Sequence, residues 1–376
     1  MRATMSMEWA HEGGYSVTFC SGALGGPDGS PAPELLALLK DRRVLVVTTP
    51  TAWRLHGVDH FDAVAHEADA ELTTLVLPLD EGRKTTAAVL EVCRRADEAG
   101  LGRHDLLVAF GGGLVCDVVT VAASQLHRGM PYACLPTTLV GQIDAGIGLK
   151  GGVNLDGAKN RLGAFHAPEA VISDPAWLLS LGDRAMRSGL AEILKVGITR
   201  DVDLFREIQV NGRELLASRF ASPPLTAQRV LASAVAGMLD ELARTPFEDH
   251  RQPRLMDFGH TYSPALERAC AYALTHGEAV AVDMALSTEI ACGLGRLERT
   301  DADAILSVLS TLGLDLSTPW CSETLVCQSF ALTRRQRSTA LNLVIPVGIG
   351  KADFVDDVPD DVVAAAVRRV RMTRAA

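Results

Sequence analysis

DLLVAFGGGLVCDVVTVAAS, residues 105–124, joins one continuous apolar run to a second through Gly111, Gly112 and Gly113. Leu106–Phe110 has no polar alternation, which suits a strand in a parallel sheet covered on both faces. The apolar segment after the glycines predicts a helix, so the unit reads strand, glycine turn, helix. Free backbone N–H groups at such a turn, together with the positive helix end, would face a bound diphosphate, and a Cβ there would hold the phosphate off. The turn lacks the full G-x-G-x-x-G spacing and can equally serve only to close a βα unit. Asp117, on an otherwise apolar helix, is either a solvated exception or a group that hydrogen-bonds a ligand such as a nicotinamide carboxamide or a ribose.

Working outward, the first half keeps this rhythm. RVLVVTT at 43–49 and TTLVLPL at 73–79 read as strands and TTAAVLEVCRRADEAG at 85–100 as an amphipathic helix,. An α/β domain over residues 1–175 is expected. In the second half GLAEILKVGITRD, LTAQRVLASAVAGMLDELA, GEAVAVDMALSTEIACGLG and ADAILSVLSTLG repeat apolar residues at three- and four-residue spacing, which predicts an all-α domain over 176–376. The boundary is placed near Asp174–Pro175 because proline rarely continues an element.

The chain has 376 residues, 48% hydrophobic and 22% charged, and a formal net charge of −10. Two domains are natural at this length. The overall field repels nucleic-acid phosphates and acidic membranes, so neither is an expected partner, and an anionic small molecule must be met by clustered Lys and Arg. Eight scattered cysteines without a CxxC pair fit a reducing cytoplasm,. MRATMSMEWAHEGG lacks the features of a secretory signal, and Leu106–Ala123 is interrupted by three glycines and Asp117, so no membrane span is expected,.

Two further regions carry candidate chemistry. LPTTLVGQIDAGIGLKGGVNLDGAKNRLGAFHAP, residues 135–168, sets Asp144, Lys150, Asn154, Lys159, Asn160 and Arg161 among glycines. It reads either as a site for a phosphate or polyol or as a glycine-rich surface loop. Glu192, His260 and His276 form a two-imidazole, one-carboxylate set of the kind that holds catalytic zinc with positions left open. Their spacing is not HExxH, and each histidine could instead be a helix cap or a core hydrogen-bonder. Lys195 lies one helical turn after Glu192 and shares its face.

Taken in order, EGRKT (81–85), GGGLVCD (111–117), HRG (127–129), PTTLVGQIDAGIGLKGGVN (136–154), AKNRLGAF (158–165), SGLAEILK (188–195), DFGHTYSP (257–264) and HGEAV (276–280) resemble the dehydroquinate synthase-like sugar phosphate cyclases. The resemblance implies an N-terminal Rossmann-like α/β domain and an all-α, metal-binding C-terminal domain, with the active site in the cleft of a homodimer. It puts Glu192, His260 and His276 on zinc or cobalt, and Glu81, Lys84, Gly112, Gly113, Asp117, Thr137 and Thr138 around NAD. Asp144, Lys150, Lys195 and Asn160 match substrate positions, joined by Lys159, and Arg128 is implied to reach a phosphate site across the dimer. The implied chemistry is oxidation of a ring hydroxyl by NAD, phosphate elimination, re-reduction, ring opening and an intramolecular aldol closure.

Within that superfamily, Asp257 and Pro264 replace the Asn and His of dehydroquinate synthase. The DxGHTxSP form, with Leu242 and with Arg254 three residues before Asp257, is similar to the sedoheptulose 7-phosphate cyclases of the 2-epi-5-epi-valiolone synthase group. Asp257 is expected to disfavour an acidic substrate. Two departures stand against the pattern: Gly151 where a Thr is usual, and Gln336 where a His is expected. Alternatives implied are formation of 2-epi-valiolone or desmethyl-4-deoxygadusol, then 3-dehydroquinate synthesis, and, in another class, metal-dependent polyol dehydrogenation.

Overall fold

The computed structural model describes residues 13–26, 29–58, 60–244, 246–247, 253–336 and 341–372, with only the backbone of Gln336 among them. Strands β1 (Ser16–Phe19), β2 (Arg43–Thr48), β3 (Glu71–Val76), β4 (Leu106–Gly111), β5 (Tyr132–Pro136), β6 (Lys150–Leu155), β7 (Ala158–Phe165) and β8 (Ala170–Ser173) lie in the first half. Six of them form a parallel sheet in the order β1-β8-β5-β4-β2-β3. Helices α1 (Pro33–Leu39), α2 (Pro50–Ala52), α3 (Phe61–Glu67), α4 (Thr86–Glu98) and α5 (Gly113–Gln125) complete it.

Both faces of the sheet are covered, as unbroken apolar strands require. Leu45, Val47, Leu107 and Ala109 point to the layer of α4 and α5. Val44, Val46, Leu106, Val108 and Phe110 point to that of α1 and α3. β3 begins and ends earlier than the expected 73–79, because Leu77 donates the last bond, to Thr48 O, and Pro78 has no N–H to give,.

The glycine-rich segment 135–168 is not a loop. β6 and β7 form an antiparallel hairpin laid over α5. Asp156 and Gly157 turn it with φ of 50° and 75°, values that Asp-Gly accepts and that match the twist of a tight hairpin.

Helices α6 (Asp183–Thr199), α7 (Val202–Ala217), α8 (Pro224–Arg244), α9 (Ser263–Ala269), α10 (His276–Gly293), α11 (Arg299–Thr311), α12 (Glu323–Gln336) and α13 (Asp360–Met372) build the second half. α10 is buried at Gly277 and from Ala279 to Ala291 and runs through its centre, as an all-round apolar helix must. The helical domain also carries one antiparallel hairpin, β9 (Leu343–Gly348) with β10 (Lys351–Val355), packed on α10. The β4–α5 layer and the helices α6 and α10 share one continuous core, so the cleft between the halves has rigid walls. Among the described residues no helix is long and apolar enough to cross a membrane.

Candidate active site

Three elements converge at the seam. α6 carries Glu192 and, one turn on, Lys195; the segment before α9 carries Asp257 and His260; α10 opens on His276. Thr275 and Glu278 cap that first turn reciprocally,. Gly277 lets the turn lie against α6, since a Cβ there would stand 2.3 Å from Ser188 O. The Ser188 hydroxyl accepts the Gly277 N–H at 2.9 Å. This contact sets His276 onto Glu192.

Glu192, His260 and His276 each offer a ligand atom, all within 4.8 Å of one another. Glu192 Oε1 lies 3.1 Å from His276 Nε2 and 3.9 Å from His260 Nε2, and Oε2 lies 2.6 Å from Lys195 Nζ. The carboxylate is fully buried, yet neither oxygen has an aligned hydrogen bond; its neighbours are charge contacts. A buried carboxylate with unused lone pairs beside two imidazole nitrogens fits a divalent cation of the zinc type. Burial pushes the Glu192 carboxyl up, but Lys195 and the imidazoles outweigh it and hold it well below the usual range. Burial, then Lys195, lowers His260. Burial lowers His276 too, but Glu192 and Glu267 on its two sides raise it to about 9.

The outer nitrogens are also held. His260 Nδ1 lies 3.1 Å from Phe258 O and His276 Nδ1 lies 2.9 Å from Glu267 Oε1. Asp283, buried in α10, accepts the N–H groups of Tyr262 and Ser263, the latter at 2.9 Å, and so pins the segment that carries His260. Burial raises this carboxyl from 3.8 to about 7 despite those bonds. The folded state thus holds a proton that the unfolded chain has lost, and the stability from this group, full below about pH 3.8, is lost as pH rises through about 7,. Asp283→Asn is expected to remove that slope, up to roughly 1.4 kcal/mol per pH unit. Urea unfolding of the metal-free protein between pH 4 and 7 checks it, and an unchanged slope would discard the assignment.

A cleft of about 410 Å³ opens before the triad. Of the residues singled out in the sequence, Glu81, Lys84, Gly113, Asp117, Asp144, Lys150, Lys159, Asn160, Lys195, Leu242, Arg254, Asp257, His260 and His276 line it. Lys195 bridges Glu192 and Asp144, the latter at 3.5 Å. Lys84, almost fully buried, pairs with Asp117 and donates to Asn160 Oδ1 at 2.6 Å. That bond leaves the Asn160 amide N–H groups for a ligand. The Gly152 N–H reaches Asp117 at 3.0 Å, tying the hairpin to α5. Burial raises Asp117 more than Lys84 lowers it.

Other expected residues lie elsewhere. Glu192 is fully buried and does not line this cleft, and neither do Gly112, Thr137 and Thr138, which follow the ends of β4 and β5. Pro264 is exposed in the first turn of α9, outside the lining. Arg128 is exposed at a left-handed corner, φ 66°, away from this cleft. Gly151 does not line the cleft either: a Cβ there would stand 2.6 Å from Thr120 Cβ, so its departure answers the packing of β6 on α5. The Gln336 side chain lies outside the described residues.

Sequence reasoning missed Glu241 and Glu267. Glu241 lines the cleft, accepts the Leu255 N–H at 2.9 Å and an Arg200 N–H at 3.0 Å. Glu267 bridges His276 and Lys159; burial pushes it up, but His276 and Lys159 hold it at about 2. Being the one acid between Pro264 and His276 was its available signal.

Comparison with known proteins agrees with this geometry. Residues 74–188 match the 3-dehydroquinate synthase N-terminal family and residues 189–333 the 3-dehydroquinate synthase C-terminal family. The chain is 39% identical over 344 residues to the 2-epi-5-epi-valiolone synthase of Streptomyces glaucescens, covering 89% of this chain and 87% of the relative. It is 35% identical over 337 residues to a 3-dehydroquinate synthase of Synechococcus sp. (strain CC9605), covering 88% of each. The structure of ValA, the 2-epi-5-epi-valiolone synthase of Streptomyces hygroscopicus subsp. jinggangensis 5008, with NAD+ and Zn2+ bound, superposes with a TM-score of 0.92. That pair is 37% identical, over 98% of this chain and 100% of the other.

Proposed function

This chain belongs to the 3-dehydroquinate synthase family of sugar phosphate cyclases, and from that premise we propose that it converts sedoheptulose 7-phosphate to 2-epi-5-epi-valiolone with loss of phosphate. NAD and zinc, or cobalt, are its cofactors: bound NAD takes and returns a hydride, and the metal stabilises negative charge that develops on substrate oxygens. The cleft-lining residues are assigned the roles that the resemblance implies. Lys195, held between Glu192 and Asp144, places a buried ammonium against developing oxyanions,. Lys150 and the Asn160 amide take the phosphate, with Lys159 beside them. The leaving phosphate accepts the proton of the acidified C–H, so no protein carboxylate need serve as base.

The observation that carries the choice of substrate is the pair Arg254–Asp257, 2.5 Å apart inside the cleft. Asp257 was expected to repel an acid directly; its position adds that it engages a guanidinium that could otherwise take a substrate carboxylate. A C7 sugar phosphate without a carboxylate meets no such penalty. Asp257→Asn is expected to reduce kcat/KM for sedoheptulose 7-phosphate about 10- to 100-fold. Phosphate release checks this, and unchanged kinetics would remove the argument. NMR of the product distinguishes 2-epi-5-epi-valiolone from 2-epi-valiolone and desmethyl-4-deoxygadusol. Release only with the 3-dehydroquinate synthase substrate, or net NADH as from a polyol dehydrogenase, would overturn the proposal.

The finer assignments belong to the same reading. The domain division at 175/176 is supported by the end of the sheet at Ser173 and by Asp174, which accepts the N–H groups of Gly22, Ala23 and Ala176. A homodimer is supported by Arg128, which is exposed and does not line its own cleft. A cytoplasmic setting is supported by eight unpaired cysteines.

A further inference from the structure

We infer that Glu267 is a positioning residue that ties the metal ligand His276 to the substrate-cleft residue Lys159; the inference rests on the reading of Glu192, His260 and His276 as a metal site. Glu267 stands on α9, behind the triad, with its side chain 4% exposed. Its two oxygens go to two different elements. Oε1 lies 2.9 Å from Nδ1 of His276, at the start of α10, and Oε2 pairs with Nζ of Lys159, on β7.

The first contact fixes a tautomer. A carboxylate accepts the Nδ1–H, so Nε2 is the nitrogen left to face Glu192 and to ligate a metal once its own proton is displaced, and the carboxylate behind the ring makes it the stronger donor. His260 is held differently, by the neutral Phe258 carbonyl at 3.1 Å. Of the two imidazoles, only His276 is therefore backed by a charge, and that charge is shared with a cleft-lining ammonium. A single buried group thus sets both the donor strength of one ligand and the position of one substrate-facing lysine.

Glu267→Gln keeps the size and removes both functions: the carboxamide is a weaker acceptor for His276, and its NH2 meets Lys159 donor to donor. Zinc affinity of the stripped full-length protein, measured by competition with a chelating dye, should fall about 10- to 100-fold. The visible d–d band of the Co2+ form should shift, and KM for sedoheptulose 7-phosphate should rise with it. Lys159→Met should raise KM while leaving zinc affinity within about threefold. Glu267→Asp, which keeps the charge, should recover part of the zinc affinity and supplies the comparison if the glutamine variant does not fold. Zinc affinity and Co2+ spectrum unchanged in Glu267→Gln, or zinc affinity lost equally in Lys159→Met, would overturn the inference. Because zinc binding is read without turnover, a parent protein that binds zinc but fails to cyclise the sugar would count against the proposed reaction and not against Glu267.

Discussion

Glu192→Gln is expected to lower turnover of sedoheptulose 7-phosphate by on the order of 10³-fold or more and to leave the purified protein without stoichiometric zinc. The reason is electrostatic. Glu192 is the one anion among the three candidate ligands, fully buried and without an aligned hydrogen bond. Glutamine preserves its volume, but the ligand set then has no anion of its own and faces the Lys195 ammonium, which weakens its hold on a divalent cation. Metal content after dialysis and phosphate release at saturating Zn2+ give the two readouts. Parent-level zinc with parent-level turnover would remove Glu192 from the metal site altogether.

Lys195→Met is expected to destabilise the metal-free protein by up to about 3–5 kcal/mol, because it removes one partner from a buried charge pair and leaves Glu192 with the imidazoles alone. Lys195 and Glu192 are 2% and 0% exposed, so solvent offers little relief. Zinc should narrow the deficit, since a cation at Glu192 offsets the same charge and binds only the folded state. Turnover should still fall about 10²- to 10³-fold, because the ammonium facing the cleft is gone. The double variant Glu192→Gln, Lys195→Met should be less destabilised than the sum of its parts. Urea midpoints with and without Zn2+ test this, and a variant as stable as its parent in the absence of metal would refute the pairing.

The legible part of the fold was the part with strong period. Continuous apolar strands ending at glycines require a sheet covered on both faces, and three- and four-residue spacing requires helices, so the two halves follow from local pattern alone. The 135–168 segment was not legible, because glycines and lone polar residues have neither period; only its pairing across Asp156–Gly157 and its contact with α5 make it a hairpin. LVIPVG and KADFV are likewise too short to declare a hairpin within helices until α10 offers them a surface.

By itself the sequence determined the α/β and helical halves and, through motif order, the superfamily and the candidate ligand set of Glu192, His260 and His276. Tertiary structure alone decided that a glycine at 277 brings α10 against α6 and so joins residues from three separate segments. It also decided that Gly151 answers Thr120 rather than substrate, that Asp257 is paired with Arg254, and that Glu267 stands between His276 and Lys159. Those facts depend on distances between elements far apart in the chain, and no local spacing encodes them.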